Sequence, residues 1–255
     1  MDNQSDAQAV VETAYSKEAA ASYDEKRFGN RGGQEIHRIE AGVLEDALKK
    51  TAPEGRCLEV GCGTGRLLTE ACALGYLVDG LDPSQPMLEE TGEKLKTLSP
   101  ESKLMVGEAA SLPVADGAYD FVYSIRVLNQ TPSEAYALDT VEEMIRAARP
   151  GGHILIEFMS RSRQLMDRKK VRLGEEHFKR VNRTNVRLLP REVIDRSRKA
   201  GAELVEQRGA FFLGMTSFYS VPAILLKPLS LLDRGLSSLM PGLCSRCYVL
   251  LRKNS

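Results

Sequence analysis

The residues best suited to chemistry lie in the segment Glu59–Gly65, which reads Glu-Val-Gly-Cys-Gly-Thr-Gly after a short apolar run. Glycine tolerates positive φ angles and carries no side chain, so a ligand can approach the backbone closely here. Free N–H groups at the start of the following helix would favour polar or anionic groups. We therefore expect a ligand-binding turn between a buried strand and a helix.

The spacing within this turn argues against two common nucleotide sites. A dinucleotide fingerprint needs a glycine three residues after Gly63, where this chain has Arg66. Glu59 would also repel a pyrophosphate, whereas it could attract the ammonium group of an amino-acid moiety. A Walker P-loop needs Gly-Lys-Ser/Thr, which does not follow here.

A second carboxylate, Asp82, ends the next apolar run along the chain. It follows Glu59 at roughly the 20-residue offset at which an acid on the second strand meets ribose hydroxyls. Asp82 can accept hydrogen bonds from both hydroxyls and would disfavour a 2′-phosphate. The two acids and the glycines together predict a nucleoside site.

The elements that must position these residues alternate between strand and helix, which predicts a mostly parallel sheet covered on both faces. Residues 8–50 are predicted to be helical, with a break at Gly29–Gly33. The predicted strands are 57–60, 76–81, 103–106, 120–124, 153–158, 204–212 and 247–252, and the predicted helices between them are 66–74, 86–95, 133–148 and 192–200. Pro150-Gly151-Gly152 is expected to turn the chain into its strand.

Five motifs in order, over about Arg56 to Phe158, resemble those of class I S-adenosylmethionine-dependent methyltransferases, most closely the small-molecule and quinone-type branch. They are the glycine segment, Asp82, Gly107–Pro113, Tyr119–Val122 and Arg149–Gly152. The resemblance implies a Rossmann-like three-layer α/β sandwich. Its seven-stranded sheet would be mostly parallel, with the last strand antiparallel and the cofactor at the carboxyl ends of the first strands.

The same resemblance implies roles for individual residues in binding S-adenosylmethionine, which would leave as S-adenosylhomocysteine. The glycine turn would back the methionine part, Asp82 would bind ribose, and Ser124 would lie near the sulfonium. Pro83 and Met87 would border the adenine, with Glu108 and Ala109 at its edge. The full set of expected cofactor residues is Tyr23, Arg27, Glu59, Gly61, Cys62, Gly63, Gly65, Asp82, Pro83, Met87, Glu108, Ala109 and Ser124. Tyr23 and Arg27 resemble the covering elements of the family.

By this interpretation a dedicated base is dispensable for catalysis, because a methyl group on a sulfonium is already activated and positioning supplies much of the rate. Among the three histidines, His177 is the candidate base, since it lies in the basic stretch near the expected acceptor pocket. His153 is interpreted as structural, and His37 as part of a solvated helix face.

Two later features bear on the acceptor. Residues 161–199 contain fourteen Lys/Arg against five acids. Leu225, Leu229, Leu232, Leu236 and Leu239 form one apolar helix face near Pro228, placed at the helix start. We predict a small hydrophobic, lipid-like or quinone-like acceptor. A tRNA methyltransferase using the basic stretch and a non-catalytic S-adenosylmethionine-binding module are the alternatives, and peripheral membrane contact or a homodimer would suit the apolar face.

The organisation predicted is an N-terminal helical cap, residues 1–50, and a methyltransferase domain, residues 51–255, with a basic insertion at about 160–190 and an apolar helix at 213–243. The chain has 35 Lys+Arg and 35 Asp+Glu, so nothing attracts the whole molecule to nucleic acid. No DNA partner is expected, since Ser124–Val127 stands where amino-methylating enzymes carry Asn-Pro-Pro-aromatic. Five cysteines without a second Cys/His pair predict neither a disulfide framework nor a metal site, and the protein is expected to be cytoplasmic.

Overall fold

A computed structural model describes residues 16–51, 53–163 and 186–255 of the chain. Most of the basic insertion, including His177, lies outside these residues. The described part contains one seven-stranded sheet with the strand order β3-β2-β1-β4-β5-β7-β6. The strands are β1 (Arg56–Val60), β2 (Leu77–Asp82), β3 (Leu104–Val106), β4 (Tyr119–Ser124), β5 (Ala148–Met159), β6 (Ala202–Ala210) and β7 (Arg246–Lys253).

The first five strands are parallel, and β7 runs antiparallel to both β5 and β6. The last strand along the chain therefore inserts between the two strands that precede it. This arrangement confirms the predicted Rossmann-like architecture, including its antiparallel final strand. The predicted turn at Pro150–Gly152 is wrong, since β5 already begins at Ala148. The segment is an irregularity in the β4–β5 register, where Gly151 has φ 72°.

The helices follow the strand–helix alternation expected from the sequence. They are α1 (Lys17–Ala21), α2 (Tyr23–Phe28), α3 (Arg31–Thr51), α4 (Arg66–Ala73), α5 (Gln85–Leu98), α6 (Glu134–Ala147), α7 (Pro190–Lys199), α8 (Met215–Ser220) and α9 (Ala223–Leu239). Ser84 and Ser133 cap α5 and α6, each accepting a backbone N–H with its hydroxyl oxygen.

Two buried clusters cover the two faces of the sheet. On one face, Val141, Met144 and Ile145 of α6 pack with Val193 of α7 against the strands. On the other, α3, α4, α5 and α8 supply Ile36, Leu44, Leu68, Leu95 and Phe218. The parallel strands β1 to β5 between these layers end at one common edge. That edge is where a ligand site is expected in such a sheet.

Helix α9 corrects one expectation. It begins at Ala223, so Pro228 lies inside it and not at its start. Its buried positions are Leu226, Ser230, Asp233 and Ser237. Three of the five leucines assigned to a packing face are exposed: Leu225 by 49%, Leu232 by 57% and Leu239 by 77%. The described helices include none that is long and apolar enough to cross a bilayer.

Candidate active site

The glycine turn joins β1 to α4 at the carboxyl edge of the sheet. In the β1–β2 register Val60 lies opposite Leu81, and the Leu81 carbonyl accepts the N–H groups of both Gly61 (2.7 Å) and Cys62 (2.9 Å). These bonds fold the turn back over the end of β2. The turn and Asp82 are thereby brought together, as the sequence predicted.

The three glycines of the turn have φ angles of 75°, 55° and 75°. A Cβ at Gly61 would collide with the Val127 side chain, and one at Gly65 would come within 2.6 Å of Thr91. A Cβ at Gly63, by contrast, would meet nothing within 4 Å. Packing against Val127 and Thr91 therefore excludes a side chain at Gly61 and at Gly65. At Gly63, which has no side chain, the backbone faces open space. Cys62 between them is buried and faces the protein.

Asp82 is tied to the same turn. Its Oδ2 accepts the Gly63 N–H at 2.8 Å and its Oδ1 accepts the Ser84 N–H at 2.9 Å. Burial raises the pKa of this carboxyl to about 6, since its hydrogen bonds only partly offset the loss of solvent. Each carboxylate oxygen accepts more than one hydrogen bond, so Asp82 keeps acceptor capacity for two ligand hydroxyls.

Glu59 lies deeper than the sequence suggested. Its side chain is buried, and Tyr123 donates its hydroxyl to Oε2 at 3.2 Å. Burial raises the pKa of Glu59 to about 8, although the charge of Arg66 pulls in the opposite direction. The carboxyl is therefore protonated at neutral pH, and a cation placed beside it would favour its ionisation.

The residues expected around an adenine occupy the next two loops. Glu108 accepts the Tyr136 hydroxyl at 2.5 Å, an interaction that no motif indicated. Ala109 and Met87 are buried, while Pro83 is exposed. These positions border the carboxyl ends of β2 and β3. No hydrogen bond joins these four described residues to one another, so hydrogen bonding assigns none of them a role.

Ser124 ends β4 but is fully buried. Its hydroxyl donates to the Val60 carbonyl at 2.9 Å, which ties β4 to β1. The donor of this side chain is therefore used within the sheet. A place near the sulfonium stays a prediction for it.

An N-terminal helix covers the turn. Asp24 of α2 accepts the Thr64 hydroxyl and the Lys94 ammonium, both at 2.7 Å, and Lys94 also donates to the Thr64 carbonyl. The Arg27 guanidinium lies 5.0 Å from the Tyr23 ring centroid on the same helix. Sequence reasoning selected Tyr23 and Arg27 but missed Asp24, whose partners are 40 and 70 residues away.

A buried ionic network lies beside the turn, on the α3 side of the sheet. Glu40 is fully buried and accepts hydrogen bonds from Arg66 (2.6 Å) and Arg126 (3.1 Å). Burial alone would raise the pKa of Glu40, but the charges of Arg126, Arg66 and Arg246 outweigh it and the pKa is lowered. Glu157 accepts the Arg126 N–H at 2.6 Å and the Arg246 guanidinium at 2.9 Å.

The backbone geometry of Arg126 distinguishes it within this network. It lies two residues after the end of β4, has φ 68°, and packs its guanidinium 5.6 Å from the Phe28 ring centroid. Non-glycine residues held at positive φ cost free energy and cluster at functional sites. Arg126 thus contacts both Glu40 and Phe28 next to the end of β4.

The histidines do not supply an obvious base. His37, expected on a solvated face, lies between Glu70 (3.0 Å from Nε2) and Arg66 (2.6 Å from Nδ1) and belongs to the network. His153 lies opposite Phe121, three residues before the register partner of Ser124, so it is away from the carboxyl edge. His177 lies outside the described residues, and its role as a base remains a prediction.

Comparison with known proteins agrees with this geometry. Residues 58–156 match the methyltransferase domain family. A demethylmenaquinone methyltransferase of Lysinibacillus sphaericus is 34% identical over 123 residues, which cover 46% of this chain and 51% of that protein. A tRNA (carboxymethyluridine(34)-5-O)-methyltransferase of Arabidopsis thaliana is 29% identical over 111 residues, 43% of this chain and 26% of that protein. The chain thus spans about half or less of the length of these relatives.

Solved structures share the fold over nearly the whole chain. A S-adenosylmethionine-dependent methyltransferase of Thermotoga maritima, described as a possible histamine N-methyltransferase, superposes with a TM-score of 0.60 at 19% identity, covering 98% of this chain and 100% of that one. Magnesium protoporphyrin IX methyltransferase of Synechocystis PCC 6803, with bound SAH, gives a TM-score of 0.62 at 16% identity and 88% coverage of both chains. At such identities the likeness establishes the fold.

Proposed function

We propose that this chain, whose residues 58–156 belong to the methyltransferase domain family, transfers the methyl group of S-adenosylmethionine to a small hydrophobic acceptor. A fold alone does not determine an activity, so the proposal rests on the site. The observation that carries it is the pairing of Gly63, bare and facing open space, with the Asp82 carboxylate that it hydrogen-bonds.

The residues present fit that cofactor. Asp82 has acceptor capacity for the two ribose hydroxyls, and the bare backbone at Gly63 lets the methionine moiety approach. Glu59 stands behind the turn, where the positive charge of the cofactor would favour its ionised form. A dinucleotide is disfavoured by the glycine register, because Arg66 stands where its fingerprint needs the third glycine.

The cofactor, when bound, supplies a methyl group on a positively charged sulfur that leaves as a neutral thioether. The chain's own contribution is to hold the acceptor in line and to exclude water. Helix α2 covers the turn through Asp24, and Arg126 and Phe28 lie next to the end of β4. Because the histidines of the described residues lie in the network or in the sheet, no proton acceptor is assigned among them.

A lipid-like or quinone-like acceptor is favoured by one of the relatives. The demethylmenaquinone methyltransferase relative acts, by its name, on demethylmenaquinone, and it is 34% identical to this chain over 123 residues. This relative supports the lipid-like or quinone-like acceptor class.

The tRNA methyltransferase alternative has weaker support. One relative acts, by its name, on tRNA, and the basic stretch could contact phosphates. In the described part of that stretch, however, Arg161 pairs with Glu134 and Glu192, and Arg196 pairs with Asp139 and Glu142. Paired cations release few counterions on binding nucleic acid, so a steep salt dependence is not expected from them.

Methyl transfer from labelled S-adenosylmethionine to fractionated cell extract distinguishes the proposed function from its two alternatives. We expect label in the organic-solvent fraction. Label in RNA would favour the tRNA alternative, and tight binding without transfer to any fraction would favour the non-catalytic module. Calorimetry with S-adenosylmethionine and with NAD, run on the same preparation, tests the cofactor itself: binding of NAD alone would overturn the proposal.

A further inference from the structure

The outward side of α9 carries a continuous row of apolar side chains. Ile224, Leu231 and Leu239 are exposed by 84%, 72% and 77%, and Leu225 and Leu232 by 49% and 57%. Their spacing, with Pro228 between them, places them on one side of a helix of 3.6 residues per turn. We call this row, residues 224, 225, 228, 231, 232 and 239, the α9 surface. Exposed apolar patches of this kind mark interaction sites.

Hydrogen bonds on the opposite side keep these leucines outward. Asp233, only 3% exposed, accepts the backbone N–H groups of Phe211 (2.9 Å) and Leu213 (2.8 Å). Ser237 donates to the same carboxylate, and Arg38 donates to the Ser230 hydroxyl. Rotating α9 to bury its leucines would leave these buried polar groups without hydrogen-bond partners. The free energy lost with those hydrogen bonds would exceed the gain from burying one leucine. The orientation is therefore built into the fold.

The charges that border the α9 surface are of one sign. Lys227 and Arg234 are exposed, two turns apart along the same flank, while Asp233 points inward. The neighbouring acid Glu35 is paired with Arg38, and its side chain is only 12% exposed. An apolar face flanked by cations is the pattern of a helix that lies in the headgroup region of a membrane. The stems of Lys and Arg can lie on the apolar layer while their charges reach lipid phosphates.

We propose that α9 is an interfacial helix that docks the protein onto an anionic lipid bilayer. A second copy of the chain fits this face less well, because a two-fold contact would bring Lys227 and Arg234 of both copies together without an exposed acid on α9 to balance them. The helix lies on the bilayer and does not cross it. This inference goes beyond methyl transfer, and its test does not depend on the proposed methyltransferase activity.

Flotation with vesicles tests the proposal on the full-length chain. We expect the protein to float with equimolar phosphatidylcholine and phosphatidylglycerol vesicles at low salt and much less with phosphatidylcholine alone. Replacing Leu231 and Leu232 by Ser should lower the partition coefficient by about tenfold or more, since several buried CH₂ groups are lost. The Lys227→Gln, Arg234→Gln pair should remove the preference for anionic vesicles.

Leu74→Ser with Leu98→Ser is the matched control, because these leucines are 43% and 41% exposed at the C-terminal ends of α4 and α5. The control should float like the unaltered chain. The proposal is overturned if the unaltered chain does not float at low salt, or if the Leu231, Leu232 variant floats equally well. Dissociation of a dimer by that variant, without a change in flotation, would assign the surface to a second copy.

The chain contains no tryptophan, which provides a second measurement. Leu232→Trp introduces a single fluorophore on the α9 surface, and Leu74→Trp introduces one on α4's exposed end. Anionic vesicles should shift the emission of the first to shorter wavelength and leave the second unchanged. Equal spectra with and without vesicles for Leu232→Trp would contradict docking even if the serine variants were misfolded.

Discussion

The Gly63 backbone N–H donates to Asp82 Oδ2 across 2.8 Å, which ties the end of β2 to the turn after β1. One carboxylate thus shapes the turn and faces the space beside it. Asp82→Asn keeps the size of the side chain but removes its charge and half of its acceptors. We expect the Kd for S-adenosylmethionine to rise at least about tenfold, because a hydrogen bond to a charged group contributes about 1.5–3 kcal/mol. Calorimetry measures it.

Asp120→Asn is the control for that change, since Asp120 is paired with Arg149 at the start of β4, away from the carboxyl edge. Its affinity for the cofactor should equal that of the unaltered chain. If both variants bound the cofactor with equal affinity, Asp82 would not be a ribose ligand.

Gly63→Ala separates backbone strain from ligand contact. Gly63 has φ 55° and its Cβ would enter open space, so the substitution costs about 1–2 kcal/mol of strain and places a methyl group where the cofactor should lie. Gly75→Ala is the matched change: Gly75 has φ 91°, and its Cβ also meets nothing within 4 Å. We expect similar losses in Tm for both, and weaker cofactor binding for Gly63→Ala alone. Equal binding would place the ligand elsewhere.

The free energy of unfolding should depend on pH because of the buried carboxyl group of Glu59. Burial raises the pKa of this carboxyl from 4.5 to about 8. The folded state therefore holds the proton more tightly than the unfolded chain, so its contribution to stability is present below pH 4.5 and is lost as the pH rises through 8. Glu59→Gln should remove that loss. The difference in unfolding free energy between variant and unaltered chain should grow in favour of the variant between pH 5 and 8, as denaturant titrations can measure.

Cofactor binding should also release a proton from Glu59, because a nearby cation favours its ionised form. At pH 7 the binding enthalpy of the unaltered chain should vary with the ionisation enthalpy of the buffer. The Glu59→Gln variant should show less variation. Identical buffer dependence in both would mean that Glu59 does not sense the cofactor.

The ionic network should carry much of the local stability. Glu157→Gln leaves the Arg246 guanidinium, whose side chain is 6% exposed, without its counter-charge. Removing one partner of a buried pair costs about 3–5 kcal/mol. Glu93→Gln breaks an exposed pair with Lys96 and should cost no more than about 1 kcal/mol. Thermal unfolding of the two variants compares them, and similar Tm values would show that the network is not needed for stability.

Asp24→Asn should loosen α2 without unfolding the domain. It weakens the contacts with Thr64 and Lys94 that hold α2 over the turn. We expect a several-fold faster release of S-adenosylmethionine in stopped-flow measurements and an unchanged Tm. Glu25→Gln, on the exposed side of the same helix, is the control. Unchanged release in the Asp24 variant would make α2 a structural helix only.

Local pattern was sufficient for the central motif. The glycines after an apolar strand, Asp82 at the end of the next strand and the alternation of elements all depend on neighbours in sequence, and the α/β fold was predicted from them. The methyltransferase domain that residues 58–156 match was predicted from the resemblance of five motifs to a known family. The family resemblance selected Tyr23 and Arg27 but not Asp24, because the partners of Asp24, Thr64 in the turn and Lys94 on α5, are 40 and 70 residues away.

The sequence by itself determined the strand–turn–helix at Glu59–Gly65 and the order of the elements, since backbone preference and hydrophobic period act over a few residues. Only the tertiary structure decided that β7 lies between β5 and β6, that Glu40 is buried against Arg66 and Arg126, and that Asp233 turns the leucines of α9 outward. Each of these depends on partners more than 20 residues away, and a buried polar group takes whichever orientation satisfies its hydrogen bonds.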